Sequence, residues 1–163
     1  MTTFVGNQGA IDFLSEWDGP QSKEVEEAIS YQREGLLFSH WIDQACQRLS
    51  DFYAREIPRE NKLRGREEIF RWIQEEFKEL KVRSKMDTYK GFERVKLNNA
   101  VLLTHHRYIH RLEKFETLYG YLGKDPRKVV KLLGKMKASE KDASFALDRW
   151  VVERSASVPS SLR

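Results

Sequence analysis

Cysteine is nearly missing from this chain. The single Cys46 excludes an intramolecular disulfide and any zinc cluster built from thiolates. Proline and glycine are scarce, at four and nine, which rules out collagen-like and loop-dominated classes. No apolar run approaches the roughly 18 residues that a membrane span needs. The opening Met1-Thr2-Thr3-Phe4-Val5-Gly6 lacks both the basic start and the apolar stretch of a signal peptide. Charge of one sign is not dominant either. Lys and Arg exceed Asp and Glu by 29 to 25, a formal +4, and the charges are interspersed as on a mixed solvated surface rather than a nucleic-acid footprint. What is present in quantity is aromatic: four Trp, six Tyr and nine Phe, with 40% hydrophobic and 33% charged residues. Those side chains can offset chain entropy, and 163 residues suit one domain with a core of its own.

Helical periodicity runs through the chain and no alternating strand pattern competes with it. Phe4, Ala10, Ile11, Phe13, Leu14 and Trp17 mark a first helix over about 2–17. Gly6 and Gly9 weaken it or permit close packing, and it begins without a capping residue, as a helix entered midway would. Asp18-Gly19-Pro20 turns the chain and Ser22 caps the next helix. That helix is long, about Lys23 to Glu56, with Val25, Ile29, Leu36, Ile42, Ala45, Leu49, Phe52 and Tyr53 as its apolar positions. Gly35 is a point where it would bend, and Pro58 stops it. A third helix is predicted over Lys62–Val82, with Ile69, Ile73, Phe77 and Leu80 on one face, followed by a basic, irregular stretch from Arg83 to Lys96. A fourth is predicted as continuous from Asn98 to Tyr121, broken at Leu122-Gly123-Lys124. Asp125-Pro126 then starts a fifth, whose stripe is Val129, Leu132, Leu133 and Met136. Ser139 with Asp142 resembles a capping box for a last helix to about Glu153, ahead of a disordered basic tail. The fold class is therefore all-α: five to six helices in one domain, one of them long, in irregular bundle or orthogonal packing. The body covers 1–138, and 139–163 holds the C-terminal helix and tail.

No complete catalytic or metal-binding constellation emerges. His106 and His110 share a helical face at i,i+4, the spacing of a paired metal ligand, but the zinc-peptidase version requires a Glu directly after the first His and Arg107 stands there. A solvated helix face accounts for the pair. Neither a phosphate-binding glycine loop nor a Gly-x-Ser-x-Gly elbow occurs. Cys46, between Ala45 and Leu49, reads as packed rather than nucleophilic, and Glu75, Glu76, Lys78 and Glu79 read as a charged outer face. Arg127, Lys128, Lys131 and Lys135 line the side of the fifth helix opposite its apolar stripe, without interleaved aromatics. The pointed feature is Asn98-Asn99-Ala100. An Asn there caps the fourth helix, or the two amides hold a peptide backbone, each supplying a donor and an acceptor. Tyr108, ten residues on, has a hydroxyl for a core hydrogen bond or for stabilising developing charge.

These strings carry a resemblance. Leu97-Asn98-Asn99-Ala100 with Leu102, Tyr108, Phe115, Leu118, Gly123 and Asp125, and the opening Thr3-Phe4-Val5-Gly6-Asn7-Gln8-Gly9-Ala10 with Phe13-Leu14, look like the C-terminal half of a bacterial, gluzincin-like family of zinc aminopeptidases. The resemblance covers about residues 2–136. It implies a hydrolase whose zinc is held by a His-Glu-x-x-His helix and by the Glu of an Asn-Glu-Ser segment just before the Thr-Phe-Val-Gly stretch. This sequence offers no positions for those ligands, so it implies a chain without catalytic residues or a zinc of its own, silent alone. In that chain Asn98, Asn99 and Tyr108 would be substrate-binding residues on a wall of the peptide cleft. Full-length members would be exported or envelope-associated, and a separate zinc-bearing half, or self-association, would supply a partner. The competing expectation is a stand-alone helical interaction module. A weaker one is nucleic-acid binding through Lys124–Lys137, which salt-insensitive binding would exclude. An uncovered first helix would expose apolar surface around Phe4, Ile11 and Leu14.

Overall fold

A computed structural model describes residues 2–139 and 147–152. The architecture is all-α: α1 (Thr2–Trp17), α2 (Lys23–Tyr53), α3 (Arg59–Ser84), a single 3-10 turn (Phe92–Arg94), α4 (Asn99–Ile109), α5 (Leu112–Tyr121) and α6 (Pro126–Ser139). Residues 147–152 are also helical, and no strand forms among the described residues. Asp142, the second member of the expected Ser139–Asp142 box, and the tail beyond 152 lie outside the described residues.

The long α2 organises the rest, packing against α1, α3, α4 and α5, while α6 lies against α5 and α1. Its start follows from local chemistry. Gly19 takes φ 92°, and Ser22 holds an extended conformation from which Oγ accepts the Val25 N–H at 3.3 Å. Gly35 does not interrupt it. A buried glycine inside a continuous helix, it sits where a methyl group would reach ordinary contact with Tyr89 Oη at 3.7 Å. At the core, Phe38, Ile42, Ile73, Phe77 and Leu118 are fully buried. Phe38 and Trp41, outside the predicted stripe, anchor an aromatic cluster with Phe77, Tyr89, Phe92 and His105, whose rings meet stacked, tilted or edge-on. Ile29, placed on that stripe by its spacing, is exposed.

Two further expectations are corrected. The stretch between α3 and α4 is irregular, with one 3-10 turn, and it is packed: Met86, Phe92 and Leu97 are buried, and Glu34 Oε2 accepts the N–H groups of Asp87 (3.1 Å) and Thr88 (2.8 Å). The predicted helix from Asn98 to Tyr121 is two helices. At Arg111 the backbone turns left-handed, φ 60°, and its N–H goes to Asp43 Oδ2 at 3.1 Å while that of Leu112 goes to Ser39 Oγ at 3.2 Å. In a continuous helix those donors would serve the carbonyls of Arg107 and Tyr108. The Tyr108 carbonyl instead accepts the Thr3 hydroxyl at 2.9 Å. Two side chains of α2 and one of α1 thus complete the break. Finally, Phe4 is 2% exposed, packed on Phe115 and Tyr119. The exposed large apolar residues of α1 are Phe13 (61%) and Trp17 (77%), stacked on each other, whereas Ile11 and Leu14 are half-buried. Gly6 and Gly9 have no neighbour within 4 Å of a would-be Cβ, so they serve no close approach.

The C-terminal helical residues join the same core through Leu147, with Trp150 edge-on to Tyr121. Asp148 pairs with Arg111 and Lys114.

Candidate functional site

Asn98 and Asn99 open α4, and the structure gives their oxygens separate duties. Asn98 is extended, φ −154° and ψ 172°, and its Oδ1 accepts the Val101 N–H at 3.0 Å, the expected cap. Asn99 Oδ1 accepts from the Tyr53 hydroxyl at 3.1 Å, a link from α4 to the end of α2. Both acceptors are held internally. Both Nδ2 groups lack an acceptor among the described residues and remain donors on an exposed surface.

Around them lies an open cavity of about 580 Å³, lined by Asn98, Asn99 and Ala100 from the start of α4, Lys96 and Leu97 just before it, and Arg66, Glu67 and Phe70 from α3. It therefore presents amide donors, charges of both signs (Arg66 and Glu67 paired at 2.9 Å) and an apolar floor. On the other side of Asn99 is a smaller cavity of about 290 Å³, lined by Cys46, Leu49, Ser50, Tyr53, Leu102 and Leu103, with Asn99 as the wall common to both.

Tyr108 is not brought to this place. It is 65% exposed and lines neither cavity. Nine residues separate it from Asn99, which is half a turn around α4 and about 13 Å along it. The expected trio therefore divides into an asparagine pair and a distant tyrosine. Arg66, Glu67 and Tyr53 were not foreseen. Tyr53 was legible only as an apolar helix position, since nothing local to it announces a partner 46 residues away.

A second polar groove, about 550 Å³, runs between α2 and the α4–α5 break, past Asp43, His106, His110, Arg111 and Lys114. Here the i,i+4 histidines are stacked, with centroids 4.7 Å and planes 17° apart. His106 Nε2 stands 3.2 Å from Asp43 Oδ1, and His110 Nδ1 donates to the His106 carbonyl at 2.6 Å. Burial, outweighing the neighbouring Asp43 carboxylate, lowers the His106 pKa below its ordinary 6.5. Cys46 lines the same groove as a half-buried thiol pushed up to about 11, first by burial and then by Asp43, so it is not a thiolate at neutral pH.

Zinc, implied by the resemblance, does not fit the residues described. Asp43 Oδ2 accepts the Arg111 N–H, Arg111 itself sits at the groove, and no three His, Cys, Asp or Glu among the described residues are placed to hold one ion. No described helix is long and apolar enough to cross a membrane.

Compared with known families, residues 1–146 match the model described as "Putative aminopeptidase". No curated protein matches the chain, and no solved structure does.

Proposed function

The chain belongs to the putative aminopeptidase family, and from that premise we propose that its helices form a wall of a peptide-binding cleft at the start of α4, with hydrolysis carried by groups outside the described residues. The supporting observation is the state of the two asparagine amides. Each oxygen already accepts one hydrogen bond, from the Val101 N–H or the Tyr53 hydroxyl, and each Nδ2 is left to donate outward, beside a cavity with paired charges and an apolar floor. A peptide in extended form offers the complement: carbonyl acceptors along its backbone, a charged terminus and alternating side chains. The chain is then a binding body that is hydrolytically silent by itself, and zinc belongs to another part of the catalytic assembly.

The test uses the purified 163-residue chain and short fluorescent peptides. Asn98→Asp and Asn99→Asp keep the oxygens that Val101 and Tyr53 engage and remove the outward N–H donors. Each should weaken peptide binding about five- to tenfold without unfolding the protein. Metal content and peptidase activity are read on the same sample. Peptide affinity indifferent to both substitutions, or stoichiometric zinc with genuine cleavage, would overturn the proposal.

A further inference from the structure

The asparagine pair says how a peptide backbone is held; the smaller cavity behind Asn99 says what side chain it brings. We infer that this pocket selects an uncharged, apolar peptide side chain of leucine, methionine or phenylalanine size, a specificity that rests on the peptide-binding role proposed above. Leu49, Leu102 and Leu103 supply its aliphatic surface, with Leu49 and Leu102 buried and Leu103 60% exposed at the rim. Cys46 completes the lining of the interior, and no charged residue contributes. Its polar lining residues are Ser50, Tyr53 and Asn99. Tyr53 and Asn99 are hydrogen-bonded to each other, which spares an apolar entrant the cost of leaving either oxygen unpaired.

Size and chemistry agree. An apolar cavity of about 150 Å³ takes up benzene, so about 290 Å³ accommodates one large apolar side chain with its entry but not a longer segment. A carboxylate or ammonium would be desolvated there without a partner. Because Asn99 is the partition between the two cavities, a peptide whose carbonyl accepts from Asn99 Nδ2 has an adjacent side chain at the mouth of the pocket.

The experiment measures binding of fluorescent tetrapeptides of alanine in which each position in turn is Leu, Met, Phe, Gly, Lys or Asp. At one position Leu, Met and Phe should bind about 10- to 100-fold more tightly than Gly, with Lys and Asp weaker still. Leu103→Asp, at the exposed rim, should abolish that preference and raise Lys above Leu, with circular dichroism confirming an unchanged fold. Binding that depends on Asn98 and Asn99 but treats Leu, Gly, Lys and Asp alike at every position would overturn the pocket while leaving the cleft proposal standing. Absence of any peptide binding would overturn both.

Discussion

Gly65 tests the packing that carries α2 and α3 side by side. In an open helical position, replacing glycine with alanine stabilises by about 1 kcal/mol, because alanine loses less backbone freedom. Gly65 is not open. A Cβ built there falls 2.8 Å from Cε2 of Phe52 and closer still to Cζ. The Phe52 ring is rigid, buried and covered by the Arg55 guanidinium 5.6 Å from its centroid, so it yields only by leaving its rotamer or by parting the helices. Overpacking of this kind costs about 1–3 kcal/mol. Set against the helical gain, Gly65→Ala should destabilise by about 1 kcal/mol. Gly35→Ala supplies the contrast, since its Cβ meets Tyr89 Oη at 3.7 Å and Leu112 Cδ1 at 4.0 Å, ordinary contacts, and should stabilise by up to about 1 kcal/mol. Thermal unfolding followed by circular dichroism should move the midpoint down about 2–4 °C in the first case and up by as much in the second. In a Phe52→Ala background the sign at Gly65 should invert, which a double-mutant cycle reads directly. If Gly65→Ala stabilises the native protein as Gly35→Ala does, the close approach of Phe52 is not what holds glycine there.

Two further outcomes follow from buried polar groups. Ser39 is fully buried and its Oγ accepts the Leu112 N–H, so Ser39→Ala should cost about 1–3 kcal/mol in urea unfolding and speed exchange of the Leu112 amide; a loss below about 0.5 kcal/mol would show the α4–α5 break to be held otherwise. His105 packs edge-on to Phe38 and Phe92, and burial lowers its pKa from 6.5, as it does for His106. The unfolded chain therefore takes up protons that the folded one resists, so stability is complete above pH 6.5 and is lost as pH falls below it. Denaturation midpoints should drop between pH 7.5 and 5.5, less so in His105→Leu, and a flat profile in the native protein would refute the assignment.

The boundaries that sequence determined are those with a local cause. Ser22, Asn98 and Asp125 each cap the helix that follows through a hydrogen bond within three residues. The stripe of α6 was equally legible, because Val129, Leu133 and Met136 bury at helical spacing. Family membership, too, was legible in the sequence, since residues 1–146 match the family model. What tertiary structure decided lies in contacts between distant residues. Asp43 and Ser39 take the amides of Arg111 and Leu112 and split one predicted helix into two. Glu34 and the aromatic cluster fold a basic stretch into the core. Tyr53 turns the Asn99 oxygen inward, which leaves a capping sequence with outward donors, while the half-turn between Asn99 and Tyr108 keeps the tyrosine out of that site. Periodicity records which face of a helix is apolar; it carries no information about which side chain of another helix will satisfy a backbone donor, and at those points the fold departs from the pattern.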